Sequence, residues 1–234
     1  MQVQTRQVRV VIPARNEEHL LPHALRAIRQ AFEYSHHTVA TVLDTHITVV
    51  ADQCSDYTSA VAQHLADEVI TLEAGSVGAA RAAGCASLLR AAGSAVCDDA
   101  LVLCTDADSL VPPTWIAEYL HHIETGADAV AGTVRVHDWS GRRASLQPHY
   151  ERTYAASAAH VHGANLGFTA AAYRAVGGFR ALATGEDQDL VDRMVAAGLN
   201  VEFSTRASVV TSGRSDTRAK QGFGDYLTTL EAAS

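Results

Sequence analysis

Two aspartates follow directly after an apolar run of the chain, in the segment TDADS (residues 105–109). The apolar run, residues 100–104, is predicted to be a buried strand, so Asp106 and Asp108 lie at its carboxyl end. Asp52 and Asp56 follow an earlier predicted strand in the same way. Ligands of open α/β sheets bind outside the carboxyl ends of the strands. We therefore expect these four carboxylates to crowd one edge of a sheet.

Such a cluster of carboxylates indicates a cation site. Neighbouring carboxylates repel one another and are costly to bury without a cation. Mg²⁺ and Mn²⁺ take one or two carboxylates together with phosphate oxygens and water. The TDADS segment therefore predicts a Mn²⁺ or Mg²⁺ site for a diphosphate, with Asp108 and Asp106 as metal ligands. The alternative is that both residues only cap the next helix or hold solvent in a loop.

Strands and helices are predicted to alternate along the chain, which is typical of a mostly parallel sheet with helices on both faces. Strands are predicted at residues 8–13, 47–51, 68–72, 100–104, 129–136, 166–169 and 201–203. Helices are predicted at residues 17–32, 58–65, 78–92, 115–124, 150–159, 170–176 and 186–197.

We predict a single α/β domain over residues 1–234. Its two halves are expected at residues 1–110 and at residues 111–205, the second with a small antiparallel portion; the family resemblance described below implies that the first half binds a nucleotide and that the second is the acceptor and catalytic half. Residues 206–234, polar and glycine-bearing at their start, are predicted to be a flexible C-terminal segment.

The composition argues against several classes of protein. A net charge of −8 does not favour nucleic acid as the partner, since phosphate backbones attract clustered basic residues. Lys220 is the only lysine, which excludes a Walker-type phosphate loop. The four cysteines have no C-x-x-C spacing, and no apolar stretch is long enough for a transmembrane helix. We expect a cytoplasmic protein; the sequence allows peripheral membrane contact and leaves the oligomeric state open.

Six segments, in this order, resemble the family 2 glycosyltransferases, whose nucleotide-sugar-binding fold is known as GT-A. The resemblance covers roughly residues 8–205. The segments are VIPARNEE (11–18), VADQCSDYT (50–58), GSVGAARAAG (75–84), TDADS (105–109), GANLGFTAAAYRAVGGF (163–179) and GEDQDLVDRM (185–194).

The resemblance implies a nucleotide-diphosphate sugar, with UDP favoured, as the donor. Pro13 lies in the opening donor segment, where Arg15 would pack on the base. Asp52 would accept a hydrogen bond from the N3–H of a uracil-like base, and Arg81 would anchor the base or the diphosphate. Asp106 would hold the ribose or a metal-bound water, and Asp108 would ligate the metal.

The resemblance also implies the residues of the transfer step. Asp187 would be the general base that deprotonates an acceptor hydroxyl, with inversion at the anomeric carbon, and Glu186 would orient the acceptor or the sugar. Gly163 and Asn165 belong to the acceptor-side segment, and we place His162 near the same pocket. The identity of the acceptor stays open.

The segment TSGRSDTR (211–218) carries Arg214 and Arg218, with Lys220 close behind. We consider two interpretations of it. One is a disordered tail. The other is a flexible lid that brings Arg214 to the diphosphate after the donor binds.

The sequence departs from the family pattern at several points. Ala51 and Cys54 replace the commoner Asp and Ser of the base-binding loop, which blurs the choice of base. No histidine follows His162, so the third metal ligand of some members is missing. The Q-x-x-R-W signature of processive synthases is absent as well.

Two other functions compete with glycosyl transfer. A sugar-1-phosphate nucleotidyltransferase would carry a glycine-rich loop and a lysine after the first strand, where this chain has PARNEE. A catalytically silent nucleotide-sugar-binding module is the second alternative, and the intact Asp106, Asp108 and Asp187 argue against it.

Overall fold

A mixed β-sheet forms the centre of the protein. The computed structural model describes residues 5–90, 97–155, 160–214 and 223–232, and within these ranges the sheet has eight strands. They are β1 (Thr5–Ala14), β2 (Val42–Asp52), β3 (Glu68–Leu72), β4 (Leu101–Cys104), β5 (Ser109–Leu110), β6 (Ala129–Val136), β7 (Leu166–Thr169) and β8 (Val201–Thr211).

The sheet has a parallel part and a mixed part. Its strand order is β3-β2-β1-β4-β7-β6-β8-β5, and the first four strands run parallel. β7 is antiparallel to both β4 and β6, β6 is parallel to β8, and β5 is antiparallel to β8. This arrangement confirms the predicted α/β fold with a parallel nucleotide-side sheet and a small antiparallel portion.

Helices cover both faces of the sheet. They are α1 (Leu21–Thr38), α2 (Thr58–Leu65), α3 (Val77–Arg90), α4 (Trp115–Glu124), α5 (Leu146–Ala155), α6 (Ala170–Ala175), α7 (Glu186–Ala196) and α8 (Phe223–Ala232), with a 3₁₀ turn at Gly163–Asn165. Among the described helices, none is both long and apolar enough to cross a membrane.

The central strand β1 is buried on both faces, as its continuous β-branched run predicts. Successive side chains of a strand point to opposite faces of the sheet. Accordingly, Val10 and Ile12 pack in one apolar cluster with Trp115 of α4, whereas Val11 packs in a second cluster with Leu190 of α7. The two layers hold the strand ends, and the loops that follow them, in fixed positions.

The structure corrects the C-terminal segment. β8 continues to Thr211, not to residue 203, and α8 follows at Phe223–Ala232. The second part of β8 was missed because its apolar pattern is interrupted. The register of β8 against β6 shifts between Gly132 and Val134, which pair with Ser204 and Val209, and the residues between these two partners form a polar bulge. Within the predicted flexible segment, residues 206–211 therefore belong to a strand and residues 223–232 to a helix.

Smaller differences concern helix ends. α1 begins at Leu21 because Glu17 and Glu18 belong to the loop after β1. The helix predicted at 150–159 begins at Leu146, and its last residues, 156–159, lie outside the described residues, as do 91 and 92 of the predicted helix 78–92.

Candidate active site

A cleft of about 660 Å³ opens at the carboxyl ends of β1, β2 and β4. Its walls are the loops that follow these strands, the start of α3 and the residues after β8. Six of the predicted donor and metal residues line it: Pro13, Arg15, Asp52, Asp106, Asp108 and Arg214. The carboxyl-end rule for open sheets therefore predicted the edge at which this cleft opens.

Asp52 ends β2 and organises the loop between β3 and α3. Its Oδ1 accepts hydrogen bonds from the backbone N–H groups of Ala74 at 2.7 Å and Gly75 at 3.0 Å, and its Oδ2 accepts one from Ser76 at 2.9 Å. An ionised carboxylate offers about four lone-pair sites, so one stays available to a ligand in the cleft.

The loop after β1 is fixed by polar contacts with the loop after β2. Asn16, with a left-handed φ of 54°, accepts the backbone N–H of Ser55 at 2.8 Å. Asp56 accepts the backbone N–H groups of Glu18 at 3.1 Å and Thr58 at 2.9 Å. Asp56 therefore lies at the expected edge of the sheet, but it holds the loop and does not line the cleft.

Behind the cleft lies an ion cluster of Arg81, Asp106 and Glu186, which we call the buried cluster. The Arg81 guanidinium, in α3, bonds Asp106 Oδ1 at 2.5 Å through Nη2 and contacts Glu186 of α7 through Nη1. Burial opposes the charge of Arg81, but the two carboxylates outweigh burial and raise its pKa. At 3% exposure, Arg81 ties the TDADS turn to the start of α7. That Arg81 also anchors the base or the diphosphate stays a prediction.

Glu186 is likewise committed to the buried cluster. It is 2% exposed, and burial raises the pKa of its carboxyl while Arg81 opposes that shift. That Glu186 orients the acceptor or the sugar stays a prediction.

Gly163 fits the space beside the buried cluster. A Cβ at this position would lie 2.3 Å from the Arg81 guanidinium carbon, so the close approach requires glycine. The Gly163 N–H donates to Asp187 Oδ2 at 2.7 Å. The 3₁₀ turn thus contacts the buried arginine and also holds the predicted base.

At the cleft rim lies a second ion cluster, of Arg214, Glu17 and Asp108, which we call the rim cluster. Both terminal nitrogens of Arg214 bond the carboxylate of Glu17, with Nη1 to Oε2 at 2.8 Å, and Nη2 also lies 3.2 Å from Asp108 Oδ2. The Arg214 side chain is 26% exposed. The other two cations of this segment, Arg218 and Lys220, lie outside the described residues.

The surroundings of the Asp108 carboxyl disfavour its charged form. Burial raises the pKa of its carboxyl to about 6, the charge of Asp106 adds to this shift, and Arg214 opposes it. A divalent cation would offset both effects. Within the described ranges, no three His, Cys, Asp or Glu side chains form a metal cluster. The donor set thus fits a Mg²⁺ or Mn²⁺ ion that completes its shell with diphosphate oxygens and water.

Asp187 and His162 lie next to each other at the far side of the buried cluster. Asp187 Oδ1 accepts the backbone N–H of Gln188 at 2.8 Å, in addition to the bond from Gly163. Tyr154 OH lies 3.0 Å from His162 Nε2 and accepts the backbone N–H of Val134 at 3.0 Å, so its proton is directed at Nε2. Burial lowers the pKa of His162 to about 4 although Asp187 opposes the shift, so the imidazole is neutral at neutral pH.

Asn165 has a structural position, which corrects its assignment to the acceptor side. Its fully buried side chain accepts hydrogen bonds from Trp115 Nε1 at 2.8 Å and Tyr119 OH at 2.7 Å. It donates to the carbonyls of Thr133 at 2.8 Å and Ala207 at 3.0 Å. Asn165 thus joins α4, β6 and β8 and does not face a ligand.

A family model supports the sequence resemblance. The model described as glycosyl transferase family 2 matches residues 9–177, which is more than half of the 234-residue chain. The chain belongs to glycosyl transferase family 2. Among curated proteins, no match to it is found.

Solved structures share the fold of this family 2 member. A mannosyltransferase from Pyrobaculum calidifontis, PcManGT, in complex with GDP-Man and Mn²⁺, has a TM-score of 0.64 at 18% identity over 90% of this chain and 58% of its own. TarS 1–349 from S. aureus has a TM-score of 0.62 at 13% identity, over 88% of this chain and 60% of its own. This chain therefore spans less than two thirds of either protein.

A third structure matches more of its own length. Glucosyl-3-phosphoglycerate synthase from Mycobacterium tuberculosis, in complex with Mn²⁺, UDP and phosphoglyceric acid, has a TM-score of 0.60 at 15% identity, over 97% of this chain and 78% of its own. At these identities the likeness shows the GT-A fold.

Two residues at the candidate site escaped the sequence reasoning. Glu17 was included in the helix predicted at 17–32, although it follows β1 at the same edge as Asp52 and lines the cleft. Tyr154 carries no motif, and only the folded chain brings it to His162.

Proposed function

We propose that this family 2 member transfers a sugar from a nucleotide-diphosphate sugar, with UDP favoured, to an acceptor hydroxyl. The observation that carries the proposal is the cleft itself, where Asp52, Asp106, Asp108 and Arg214 line one cavity at the carboxyl edge of the sheet. The structures with bound GDP-Man and Mn²⁺, and with UDP and Mn²⁺, belong to proteins of the same fold and support this choice of ligand.

The nucleotide binds at the parallel end of the cleft in this proposal. Asp52 uses its remaining lone pair for an N–H of the base, while the loop it holds supplies the floor. Arg15 is exposed at the mouth, where its planar guanidinium can pack on the base. Pro13 lines the wall beside it.

The diphosphate binds at the rim cluster. Asp108 and Asp106 would hold Mn²⁺ or Mg²⁺, which when bound would neutralise charge that develops on the leaving diphosphate. Arg214 donates to phosphate oxygens, because a planar guanidinium matches two of them at once. Glu17 and Asp108 hold Arg214 at the rim before the donor arrives.

The transfer step needs a base, and we assign it to Asp187. As the acceptor oxygen forms its bond to the anomeric carbon, its proton passes to the Asp187 carboxylate. The bond from the anomeric carbon to the diphosphate oxygen breaks, and its electron pair leaves with the diphosphate. Attack from the opposite face inverts the anomeric centre. Gly163 holds Asp187 through its N–H, and the neutral His162 lies beside it as a candidate contact for the acceptor.

The buried cluster positions these groups. Arg81 joins Asp106, on the metal side, to Glu186, the neighbour of the base in α7. The distance between the cation site and the base is therefore set by one buried guanidinium.

A ligand screen tests the proposal. Ligands that bind only the folded state raise the unfolding temperature. UDP, GDP and their sugar conjugates should each be compared with Mn²⁺ and with EDTA, with AMP as the control nucleotide. We expect a metal-dependent rise with one nucleoside diphosphate. Release of free nucleoside diphosphate from the matching sugar donor would support transfer or hydrolysis, whereas pyrophosphate formation from a nucleoside triphosphate and a sugar phosphate would show a nucleotidyltransferase instead.

A further inference from the structure

Arg142 lies in the loop between β6 and α5 and reaches two parts of the cleft rim. Its side chain is 1% exposed. Nε donates to the carbonyl of Gly213 at 3.0 Å, and Nη2 donates to the carbonyls of Arg214 at 2.8 Å and Gly224 at 3.2 Å. Arg214 and Gly224 both line the cleft, so one guanidinium binds the backbone on both of its C-terminal walls.

A second set of contacts joins Arg142 to α8. Nη1 donates to Thr228 Oγ1 at 2.8 Å and to Glu231 Oε2 at 3.5 Å. The packing of α8 adds to this attachment, because Leu227 is buried against Leu146 and Tyr150. Arg142 is therefore held by α8, which packs on α5, while it binds the backbone at the cleft rim.

The backbone near Arg214 is restrained from the other side as well. A Cβ at Gly213 would lie 2.2 Å from the carbonyl oxygen of Asp138, so the chain passes very close to the loop after β6. With the Gly213 and Arg214 carbonyls bound to Arg142, the direction in which the Arg214 side chain leaves the backbone is fixed.

We propose that Arg142 is a positioning residue for the donor diphosphate, which acts by fixing the backbone from which Arg214 reaches the rim cluster. This inference rests on the proposed function, since it assigns Arg214 to the diphosphate. Arg142 itself does not touch the ligand. Its planar fork of five donors suits several carbonyls at once, which a lysine cannot reproduce.

A double-mutant cycle tests this inference in the full chain. Arg214→Ala should weaken binding of UDP or GDP with Mn²⁺, whichever the wild type binds, by roughly tenfold to a hundredfold. Arg142→Ala and Arg142→Lys should each weaken it in the same direction. If Arg142 acts through Arg214, the double variant Arg142→Ala/Arg214→Ala should bind no more weakly than Arg214→Ala alone. Losses that multiply in the double variant would overturn the inference.

Hydrogen exchange supplies a readout that needs no nucleotide. Arg142→Ala should speed amide exchange in peptides covering residues 211–214 and 223–232. The matched control, Thr228→Val, removes the bond from Arg142 to α8 and the bond from Thr228 to the Gly224 carbonyl within α8, but it keeps the bonds from Arg142 to Gly213 and Arg214. It should leave exchange at 211–214 and nucleotide affinity unchanged. Unchanged amide exchange at 211–214 in Arg142→Ala would overturn the inference that Arg142 fixes this backbone, whatever the nucleotide result. A wild type that binds neither nucleotide would count against the proposed function, while the exchange result would still decide whether Arg142 fixes this backbone.

Discussion

Two arginines of this protein each bridge two carboxylates, but in different surroundings. The Arg81 side chain is 4% exposed, and its partners Glu186 and Asp106 are 3% and 35% exposed. The Arg214 side chain is 26% exposed, and its partners Glu17 and Asp108 are 6% and 16% exposed. The two clusters therefore differ in the burial of their arginines. A buried guanidinium is tied to its carboxylates, because its charge would be costly alone, whereas a guanidinium that reaches solvent can exchange partners. We therefore expect Arg81 to set the geometry of the site and Arg214 to bind the ligand.

The two clusters also divide the carboxylates of the site. Asp106 and Asp108 are two residues apart, yet Asp106 is paired to Arg81 in the buried cluster and Asp108 to Arg214 at the rim. Glu186 and Asp187 are adjacent, yet Glu186 is buried and Asp187 is held only by backbone N–H groups among the contacts described. Neighbours in sequence therefore have different roles.

The largest effect is expected at Asp187. Asp187→Asn should keep donor and Mn²⁺ binding but lower the rate of transfer, since general-base removal costs on the order of 10² to 10⁴ in rate. Single-turnover release of nucleoside diphosphate, combined with donor calorimetry, measures both quantities. Near-normal turnover would remove Asp187 as the base and direct attention to His162.

Removal of Arg81 should break the buried cluster. Arg81→Ala leaves Asp106 and Glu186 as unpaired carboxylates, and loss of one partner of a buried pair costs about 3–5 kcal/mol of unfolding free energy. Urea denaturation measures the loss. The matched control is Arg180→Ala, whose 61% exposed side chain pairs with Asp189 at the surface and should have little effect. Equal stability of the two variants would contradict the claim that the buried cluster stabilises the fold.

Arg214 should show the opposite pattern. Arg214→Ala should lower the unfolding free energy by about 1–3 kcal/mol, less than Arg81→Ala, because Glu17 and Asp108 lose their partner but lie at the open cleft, where water can reach them. It should weaken nucleoside diphosphate binding by about 1.5–3 kcal/mol, the usual range for hydrogen bonds to charged groups. The same denaturation and calorimetry apply, and a large loss of stability with unchanged binding would reverse the roles we assign.

The pKa of Asp108 gives the smallest effect and a pH signature. A carboxyl whose pKa is raised to about 6 in the folded state adds stability below pH 4, which is lost as the pH rises through 6. Asp108→Asn should therefore stabilise the ligand-free protein at pH 8 by on the order of 1–3 kcal/mol, and much less at pH 4. Urea denaturation at both values checks this, and equal effects at both would contradict the charge explanation.

The parallel half of the fold could be predicted because its signals are local. Continuous apolar strands such as β1 indicate burial on both faces, and the polar residues after parallel strands meet at one edge of the sheet. The full length of β8 and the presence of α8 could not be predicted in this way. The bulge in β8 depends on its pairing with β6. The helix α8 depends on the packing of Leu227 against α5, a contact between residues far apart in the sequence.

The site shows the same limit. The segments carrying Asp52, Asp106 and Asp108 were found from residue type and position. The burial of Arg81 was not predicted, because only the folded chain shows that Gly163 packs against its guanidinium. Nothing in the order of residues indicated that Arg142 would reach the carbonyls beside Arg214.

The most direct test of the central claim is calorimetry of the nucleoside diphosphate with wild type and Asp108→Asn, each with Mn²⁺ and with EDTA. The account predicts that the wild type binds tightly only with Mn²⁺, and that Asp108→Asn binds weakly under both conditions while remaining folded. Binding of equal strength in all four experiments would contradict a metal-dependent diphosphate site at the rim cluster.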